Sequence, residues 1–348
     1  MTLFDKLHKI NKVFYFTTLG LYLFIYFGML FQIILGIVQI TIGVILLVKM
    51  KELSKEKKKQ IYIYWILVAI AGFLILTYSM LGNDKANFIT LFLIPMLIAT
   101  YFYFLTANIN SDSFLTAEWK NLALFNYEVD PKILEKYVPL GTEIDLWNNR
   151  CYVSLVGFMF ENTKVLGIKV PFHIDFEEVN LRFYVKRFEN GEWKRGVVFI
   201  KETVPKTAIT FIANTLYNEH YQTNEMMHYV SDNKETNSFV YQWKNHNKWN
   251  TIKVKTGKEE LEIDLNSEAE FITEHYFGYT KYNKDTTFEY EVTHPRWEQL
   301  AIIDYKIDVD FEDNYGKDFA FLNESKPVST FLAIGSKITV ENKKKIKL

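Results

Sequence analysis

The sequence lacks most of the features that mark common enzyme classes. Its 348 residues include a single cysteine, Cys151, which excludes an intramolecular disulfide and suits a reducing compartment. We interpret Cys151 as a small core residue, with a nucleophile as the less favoured alternative. There is no phosphate-binding loop, nucleophile elbow, HExxH helix or Cys-x-x-Cys pair, and the seven histidines have no metal-ligand spacing. The sequence therefore predicts neither a metal site nor a cofactor.

Charge is distributed unevenly along the chain. Residues 1–112 contain 10 Lys and Arg against 5 Asp and Glu, whereas residues 113–348 contain 30 against 36. No basic cluster with interleaved stacking aromatics is present, so nucleic acid is not expected as a partner. A basic apolar part followed by a mildly acidic polar part predicts a membrane anchor that carries a soluble domain.

Charge is missing altogether from a long apolar run, Val13 to Val48, over 36 positions. One helix of that length would measure about 54 Å, well beyond a hydrocarbon core of about 30 Å. Two spans with a turn near Gly28–Gln32 fit better, and one long tilted span is the alternative. The sequence therefore predicts a transmembrane helical region at 1–107, with four spans at about 13–29, 31–48, 61–81 and 88–105.

The lysines indicate the orientation of these spans. Three lysines precede the first span and six more lie in the loop 49–59, whereas the turn 82–87 has one lysine balanced by one aspartate. The positive-inside rule then places both termini and the β-rich domain in the cytoplasm, in a multi-pass protein of the cell membrane. No ionisable residue lies within a span, so a passive anchor is favoured over transport. Gln32 and Gln39 are expected to form helix–helix hydrogen bonds.

The rest of the chain reads as a polar linker at 108–113, a β-rich domain at 114–341 and a basic tail at 342–348, interpreted as a solvated end. Many strands with few separate helices predict an α+β domain, mostly antiparallel and barrel-like. Its helices are expected at 132–137, 207–217 and 267–274. Besides a central hairpin, its strands are expected at 117–129, 151–160, 227–231, 238–244, 249–255, 288–293 and 300–309.

The central hairpin runs from Phe176 to Glu202, with an Asn190-Gly191 turn that is the strongest short-range hairpin signal. Its first strand has apolar residues at 176, 179, 181, 183 and 185, and Arg182 lies on the opposite face. Taken singly, polar residues on such strands are most often surface or satisfied buried groups. As a set near strand ends they predict a ligand pocket lined by Lys120, Glu177, Asn180, Arg182, Tyr184, Tyr221, His294 and Trp297.

Several short motifs carry a family resemblance over residues 114–341. They are Trp119 with Leu122, Val129-Asp130-Pro131 with Leu134, Pro139-x-Gly141 with Glu143-Ile-Asp145, Tyr152-Val153 with Phe158, Glu178-x-Asn180-Leu-Arg182-x-Tyr184-Val185, and His294-Pro-x-Trp297. In their order and spacing they resemble the YqjF-like bacterial domain family, of the acetoacetate decarboxylase-like superfamily. The resemblance implies that fold and a pocket for a small carbonyl-bearing or anionic molecule.

The resemblance also implies a departure from decarboxylase chemistry. Acetoacetate decarboxylases carry G-R-E-x-x-x-[FY]-P-K, whose lysine forms a Schiff base with the keto acid. Here Ala213 falls on the glycine, Asn214 on the arginine, His220 on the proline and Tyr221 on the lysine. A phenol cannot form an imine, so decarboxylation is not expected. Lys120 falls where those enzymes keep a pocket arginine, so Lys120 and Arg182 are expected to give one cavity a positive potential.

Three functions remain open. The first is a membrane-tethered domain that binds a small carboxylate or carbonyl ligand without turnover. The second is an enzyme that uses the same pocket for acid–base chemistry, through Lys120, Arg182, Glu177 or Tyr221, with Lys206 as a less favoured substitute nucleophile. The third is a structural or assembly protein at the membrane. The lipid bilayer is the expected partner in each case, and the sequence leaves a homo-oligomer open.

Overall fold

The computed structural model describes residues 2–22, 25–81, 89–107, 109, 113–165, 167 and 169–347. The chain divides into two compact units, residues 1–113 and 114–348. The predicted polar turn at 82–87 and most of the linker lie outside the described residues.

The first unit is helical. Its helices are α1 (Leu3–Leu21), α2 (Ile25–Val48), α3 (Lys55–Leu81) and α4 (Ile94–Ala107), with a 3-10 turn at Met50–Glu52 and a π turn at Ile89–Leu93. A capping box starts α1, because the Thr2 side chain accepts from the Asp5 amide while Asp5 accepts from the Thr2 amide. At the last helix, π geometry gives way to α geometry beside Pro95, which has no N–H for the preceding turn.

Two helices among the described residues are long and apolar enough to cross a membrane, over Phe27–Val48 and Lys57–Thr77, and Leu91–Ala107 is a shorter apolar helix. The turn expected near Gly28–Gln32 is wrong, since α2 runs through that segment and α1 ends at Leu21. A single glycine is tolerated in a helix, and no proline interrupts the segment.

Polar side chains join the helices of this unit. Gln39 donates to Asn11 Oδ1 at 2.9 Å and to the Ala99 carbonyl at 3.2 Å, while Asn11 donates to Thr106 Oγ1 at 2.9 Å. Gln32 donates to the carbonyls of the π turn. The helix–helix role predicted for Gln32 and Gln39 is confirmed.

The second unit is built on strands. They are β1 (Ser113–Glu128), β2 (Glu143–Ile144), β3 (Tyr152–Val165), β4 (Phe176–Glu189), β5 (Glu192–Val204), β6 (Tyr221–Thr223), β7 (Met226–Asp232), β8 (Asn237–Asn245), β9 (Lys248–Glu262), β10 (Phe277–Asn283), β11 (Thr286–Thr293), β12 (Glu298–Asp308), β13 (Ser329–Glu341) and β14 (Lys344–Lys347). The helices are α5 (Pro131–Leu134), α6 (Thr207–Ile212), α7 (Glu268–Thr273) and α8 (Phe311–Tyr315), with 3-10 turns at Glu135–Tyr137 and Lys317–Asn323 and a π turn at Ala213–Tyr217.

Within the described residues these strands form one 14-stranded sheet, whose main path is β14-β11-β10-β5-β4-β3-β1-β13-β12-β9-β8-β7. Most neighbouring pairs are antiparallel, which confirms the α+β, mostly antiparallel prediction. A two-residue pairing also joins β11 to β13. The barrel-like closure stays a prediction.

Local signals in the sequence account for several elements. Asn190 and Gly191 have φ values of 55° and 89°, which the turn between β4 and β5 requires. Asp130 caps α5 with Pro131 at its first position. Part of the predicted solvated tail forms a strand: Lys344–Lys347 pairs with β11 as β14, because backbone pairing is available at that sheet edge, while its lysine side chains stay exposed.

Two apolar clusters lie on opposite faces of β4. Val179, Leu181 and Phe183 belong to one cluster, which also contains Cys151 as a buried core residue. Phe176 and Tyr184 belong to the other. Since strand side chains alternate, the polar residues 178, 180 and 182 face the second side, where the cavity lies.

Candidate functional site

The candidate site is a cavity of ≈ 180 Å³ in the second unit, between β4, β5, β11 and the helix that follows β5. Its walls are mainly aromatic and aliphatic, with Trp119, Phe158, Phe160 and Ile272 among them. Polar groups gather where β4 and β5 cross it. An apolar cavity with a few convergent polar groups is the usual form of a small-molecule site.

Five of the eight predicted site residues line this cavity, namely Asn180, Arg182, Tyr221, His294 and Trp297. His294 and Trp297 stack with their ring centroids 4.1 Å apart, and Trp297 Nε1 donates to Ser336 Oγ at 2.8 Å. Burial lowers the pKa of His294. The two residues therefore form a rigid, largely apolar wall.

The other three predicted residues lie outside the cavity lining. Lys120 is 41% exposed and pairs with Glu161 at 2.6 Å. Glu177 Oε1 lies 2.6 Å from His228 Nδ1, on the other face of β4. Tyr184 is buried, with its hydroxyl 2.6 Å from Ser154 Oγ.

The displacement of Lys120 has a local cause. Register shifts interrupt the pairing of β1 with β3 on both sides of Trp119, and Asn121 has a φ of 57°. These bulges re-aim the strand so that Trp119 lines the cavity and Lys120 does not. Lys120 therefore does not join Arg182 in the cavity lining. The prediction that these two cations together give the cavity a positive potential is wrong.

Three buried glutamates line the cavity instead: Glu178, Glu202 and Glu219. The Tyr221 hydroxyl donates to Glu178 Oε2 at 3.1 Å, and Asn180 Nδ2 donates to Glu178 Oε1 at 2.9 Å. Thr280 Oγ1 donates to Glu219 Oε1 at 2.6 Å. Each of these contacts is made by a neutral donor.

Burial raises the pKa of all three carboxyl groups. The pKa rises to about 7 for Glu178 and for Glu219, with hydrogen bonds from Tyr221 and Thr280 partly opposing the desolvation. The pKa of Glu202 is raised well above its usual value by burial and then by the neighbouring Glu219 and Glu178 charges. At neutral pH and below, the cluster therefore holds protons and can donate hydrogen bonds.

Tyr221, which the sequence resemblance aligns with the Schiff-base lysine of the decarboxylases, is held in place by the side chain of Asn214. Asn214 donates to the Tyr221 carbonyl at 2.9 Å and accepts from the Tyr221 amide at 2.8 Å. Asn214 lies in the π turn Ala213–Tyr217, which ends at Asn218 with a φ of 59°. Burial, followed by the nearby Glu178 and Glu202, raises the pKa of the Tyr221 phenol, so it stays protonated.

His275 also lines the cavity, and it belongs to a second set of hydrogen-bonded polar residues, with Asp145 and Arg195. Its Nε2 lies 3.2 Å from Asp145 Oδ2, which also accepts from Arg195 Nε at 2.7 Å. Burial lowers the pKa of His275 to about 4, so the ring is neutral. Burial opposes ionisation of Asp145, but hydrogen bonds from His275 and Arg195 prevail and lower its pKa. The carboxylate therefore holds the proton on Nε2 and leaves a lone pair on Nδ1.

Six buried polar atoms of lining residues have no hydrogen-bond partner among the described residues. They are Glu202 Oε2, Arg182 Nε, His275 Nδ1, Trp119 Nε1, Thr163 Oγ1 and Asn180 Oδ1. A buried polar atom without a partner costs about 1–3 kcal/mol. Together they offer donors and acceptors that a polar molecule in the cavity would satisfy.

No lysine occurs among the described residues of the cavity lining. Within the described chain, no group of three His, Cys, Asp or Glu is arranged to hold a metal ion. The arrangement can bind a carbonyl or carboxylate, and it can hold or move protons.

Five residues of this site were not predicted from the sequence: Glu178, Glu202, Glu219, His275 and Asp145. Glu202 lies beside Lys201, just after the apolar run 197–200 of β5, so the sequence pattern does not single it out. Glu219 and His275 lie beyond strand ends in segments of mixed polarity, so no periodicity marks them. Glu178 and Asp145 appeared only as parts of family motifs.

A family model matches residues 116–337, that of DUF2071, described as an uncharacterized conserved protein. The chain belongs to this family. The protein YqjF of Bacillus subtilis (strain 168) is 24% identical over 188 residues, which cover 51% of this chain and 72% of YqjF. The family assignment confirms the sequence resemblance over the β-rich unit, and the helical unit lies outside the match.

Solved structures give more distant similarities. The enduracididine biosynthesis enzyme MppR has a TM-score of 0.49 at 10% identity, covering 67% of this chain and 88% of MppR. An acetoacetate decarboxylase-like enzyme from Sphingomonas wittichii RW1 has 0.48 at 10% identity, covering 68% and 95%. The acetoacetate decarboxylase of Legionella pneumophila has 0.46 at 12% identity, covering 67% and 86%. At these scores no residue role is transferred.

Proposed function

We propose that the chain is a multi-pass membrane protein whose cytoplasmic β-rich domain binds a small carbonyl-bearing or anionic molecule without forming a Schiff base. One observation carries the binding proposal. Glu178, Glu202, Glu219 and Arg182 meet in an apolar cavity whose described lining contains no lysine. A protonated carboxyl donates to a carbonyl oxygen, and the guanidinium pairs with a carboxylate.

Protonation decides which ligand the cavity accepts. One arginine stands against three carboxyl groups, so an anion is repelled once the glutamates ionise. Because burial raises the pKa of Glu178 and Glu219 to about 7, carboxylate binding is expected to weaken as pH rises through that value. A neutral carbonyl ligand loses its hydrogen-bond donors over the same range.

The binding chemistry is tested with acetoacetate and the full chain in detergent. We expect no adduct after borohydride reduction, and none in Tyr221→Lys, because the supporting residues of a Schiff-base site are missing too. Arg182→Ala is expected to abolish acetoacetate binding measured by calorimetry, with the near-ultraviolet dichroism unchanged. Mass-spectrometric detection of a reduced adduct on any lysine of the wild type would contradict the proposal.

The membrane arrangement is supported by two membrane-length helices and by the lysine distribution. Four spans with both termini inside require the segment 82–87 outside and the segment 49–59 inside. Cysteine substitutions at positions 85 and 55 in intact cells test this, since only position 85 should react with an impermeant thiol reagent. Reaction at 55 alone, or an externally accessible β-rich domain, would contradict it.

A second candidate is an enzyme that shifts a proton on a carbonyl compound, and His275 favours it. His275 lines the cavity, its buried Nδ1 has no partner among the described residues, and Asp145 fixes the ring through Nε2. Nδ1 would take the proton from the carbon beside the carbonyl, the electron pair would move to the oxygen, and a neutral glutamate would protonate that oxygen. Deuterium exchange of the pyruvate methyl group, followed by NMR, tests this. His275→Gln should remove the exchange, and none in the wild type contradicts it.

A further inference from the structure

The rim of the cavity is apolar on its outer side as well as its inner side. In α6 and the π turn that follows it, Ile212 and Tyr217 line the cavity. Phe211 and Leu216 point away from it and are 69% and 46% exposed. Large exposed apolar side chains grouped at one place mark an interaction surface.

A second segment, around Val170 and Phe172, also has exposed apolar side chains. Val170 lines the cavity and is itself exposed, so it lies at the mouth. Phe172 follows and is 88% exposed, with a φ of 65° that a bulky residue rarely adopts. Apolar side chains therefore project outward from two segments that meet at one opening.

The two segments at this opening are themselves basic. Residues 162–174 and 203–218 contain three lysines and no carboxylate. The strand β14 adds further lysines, and Lys343 Nζ lies 5.1 Å from the centre of the Tyr217 ring. Apolar side chains flanked by lysines match a membrane interface with anionic lipids.

The path of the chain supplies a third argument. The Phe114 ring lies 4.8 Å from the Tyr217 ring, so the first residues of β1 are beside the rim. Only residues 108–112 separate the end of α4 from β1. The chain therefore enters the β-rich unit beside the rim, a few residues after the predicted fourth span.

We propose that this rim docks on the lipid bilayer, so that the cavity opens toward the membrane and takes its ligand from there. The ligand is then an amphipathic carbonyl compound or acid, with an apolar body against the aromatic walls and its polar end at the three glutamates. This rests on the proposed function for the existence of the membrane anchor and for the binding cavity.

Spin labels on the full chain in phosphatidylcholine–phosphatidylglycerol vesicles test the docking. Cys151 is buried and burial raises its thiol pKa to about 12, so it does not compete for the label. Labels are placed by Phe211→Cys and Leu216→Cys at the rim. The matched control is Phe188→Cys, 58% exposed beside the hairpin turn. The length of β5, about 40 Å, separates that turn from the rim. Ile37→Cys in α2 reports bilayer insertion.

Collision with oxygen and with a water-soluble nickel chelate gives the result. We expect the ratio of oxygen collisions to nickel collisions to be at least threefold higher for the rim labels than for the label at position 188. Rim labels as accessible to nickel as that label would overturn the docking, and so would rim labels shielded from both reagents, which indicate a protein contact. A nickel-accessible label at position 37 would overturn the anchor and the docking together, while acetoacetate binding would test the cavity separately.

Discussion

The two faces of β4 bury different kinds of side chain. On one face Val179, Leu181 and Phe183 pack into an apolar core and bury no polar side-chain atoms of their own. On the other face Glu178 and Arg182 are equally buried but line a cavity, and Arg182 Nε has no partner among the described residues. The first face stabilises the fold through apolar burial. The second costs stability, which natural proteins accept mainly at functional sites.

The largest expected difference between the faces comes from matched substitutions in this one strand. Leu181→Ala should lower the free energy of unfolding of the β-rich unit by about 2–5 kcal/mol, because a fully buried side chain leaves a cavity. Glu178→Gln keeps the volume and removes an ionisable group, so its effect should be small at about pH 4, where the Glu178 carboxyl is protonated in both the folded and the unfolded chain. Denaturant unfolding of the full chain in detergent, followed by tryptophan fluorescence, measures both. Equal losses of unfolding free energy in the two variants would contradict the proposed difference between the two faces.

A second difference is pH dependence, which should arise on the cavity face alone. Below about pH 4.5 the glutamates are protonated in both folded and unfolded chains, and their contribution to stability is complete. Above it the unfolded chain releases protons while the folded chain retains them up to about pH 7. Stability should therefore fall across this window, by about 3 kcal/mol for each carboxyl group whose pKa moves from 4.5 to about 7. Melting temperatures measured over this range should show a shallower fall in Glu178→Gln and the wild-type slope in Val179→Ala.

A smaller effect should follow loss of one hydroxyl in the cavity. Tyr221→Phe removes the donor to Glu178 Oε2, at a cost of about 1 kcal/mol, and should raise the pKa of Glu178 further. The matched control is Tyr184→Phe, which removes a buried hydroxyl bonded to Ser154 in the same sheet. Both should lower the melting temperature slightly, but only Tyr221→Phe should move the pH midpoint. The same midpoint in both variants would place Tyr221 outside the proton-holding cluster.

The smallest effect on stability is expected for Lys120, which lies in β1 and on neither face of β4. Lys120→Ala breaks exposed ion pairs with Glu161 and Glu118 and should change stability by less than about 1 kcal/mol. It should leave acetoacetate binding unchanged, in contrast to Arg182→Ala. Calorimetry with both variants provides the comparison, and a loss of binding in Lys120→Ala would restore the sequence-based placement of that lysine in the pocket.

The sequence predicted what depends on local pattern. The Asn190-Gly191 turn, the Asp130 cap and the alternation in β4 each depend on neighbouring residues, and the structure contains all three. The same alternation placed Arg182 on the correct face. These features follow from backbone geometry alone.

What the sequence did not predict depends on distant residues. Lys120 leaves the cavity because of bulges against β3, and β14 forms because β11 offers an edge. The contact of His275 with Asp145 joins residues 130 positions apart. The number of glutamates in the cavity, and hence its protonation, follows from such contacts and not from any local pattern.

The central claim, that the cavity holds protonated carboxyl groups near neutral pH, is tested most directly by infrared spectroscopy of the full chain. Because the pKa of Glu178 and of Glu219 is raised to about 7, a protonated carboxyl band should be present at about pH 6 and lost at about pH 9. Glu178→Gln and Glu219→Gln should each weaken it. A wild-type spectrum without that band at about pH 6 would contradict the account.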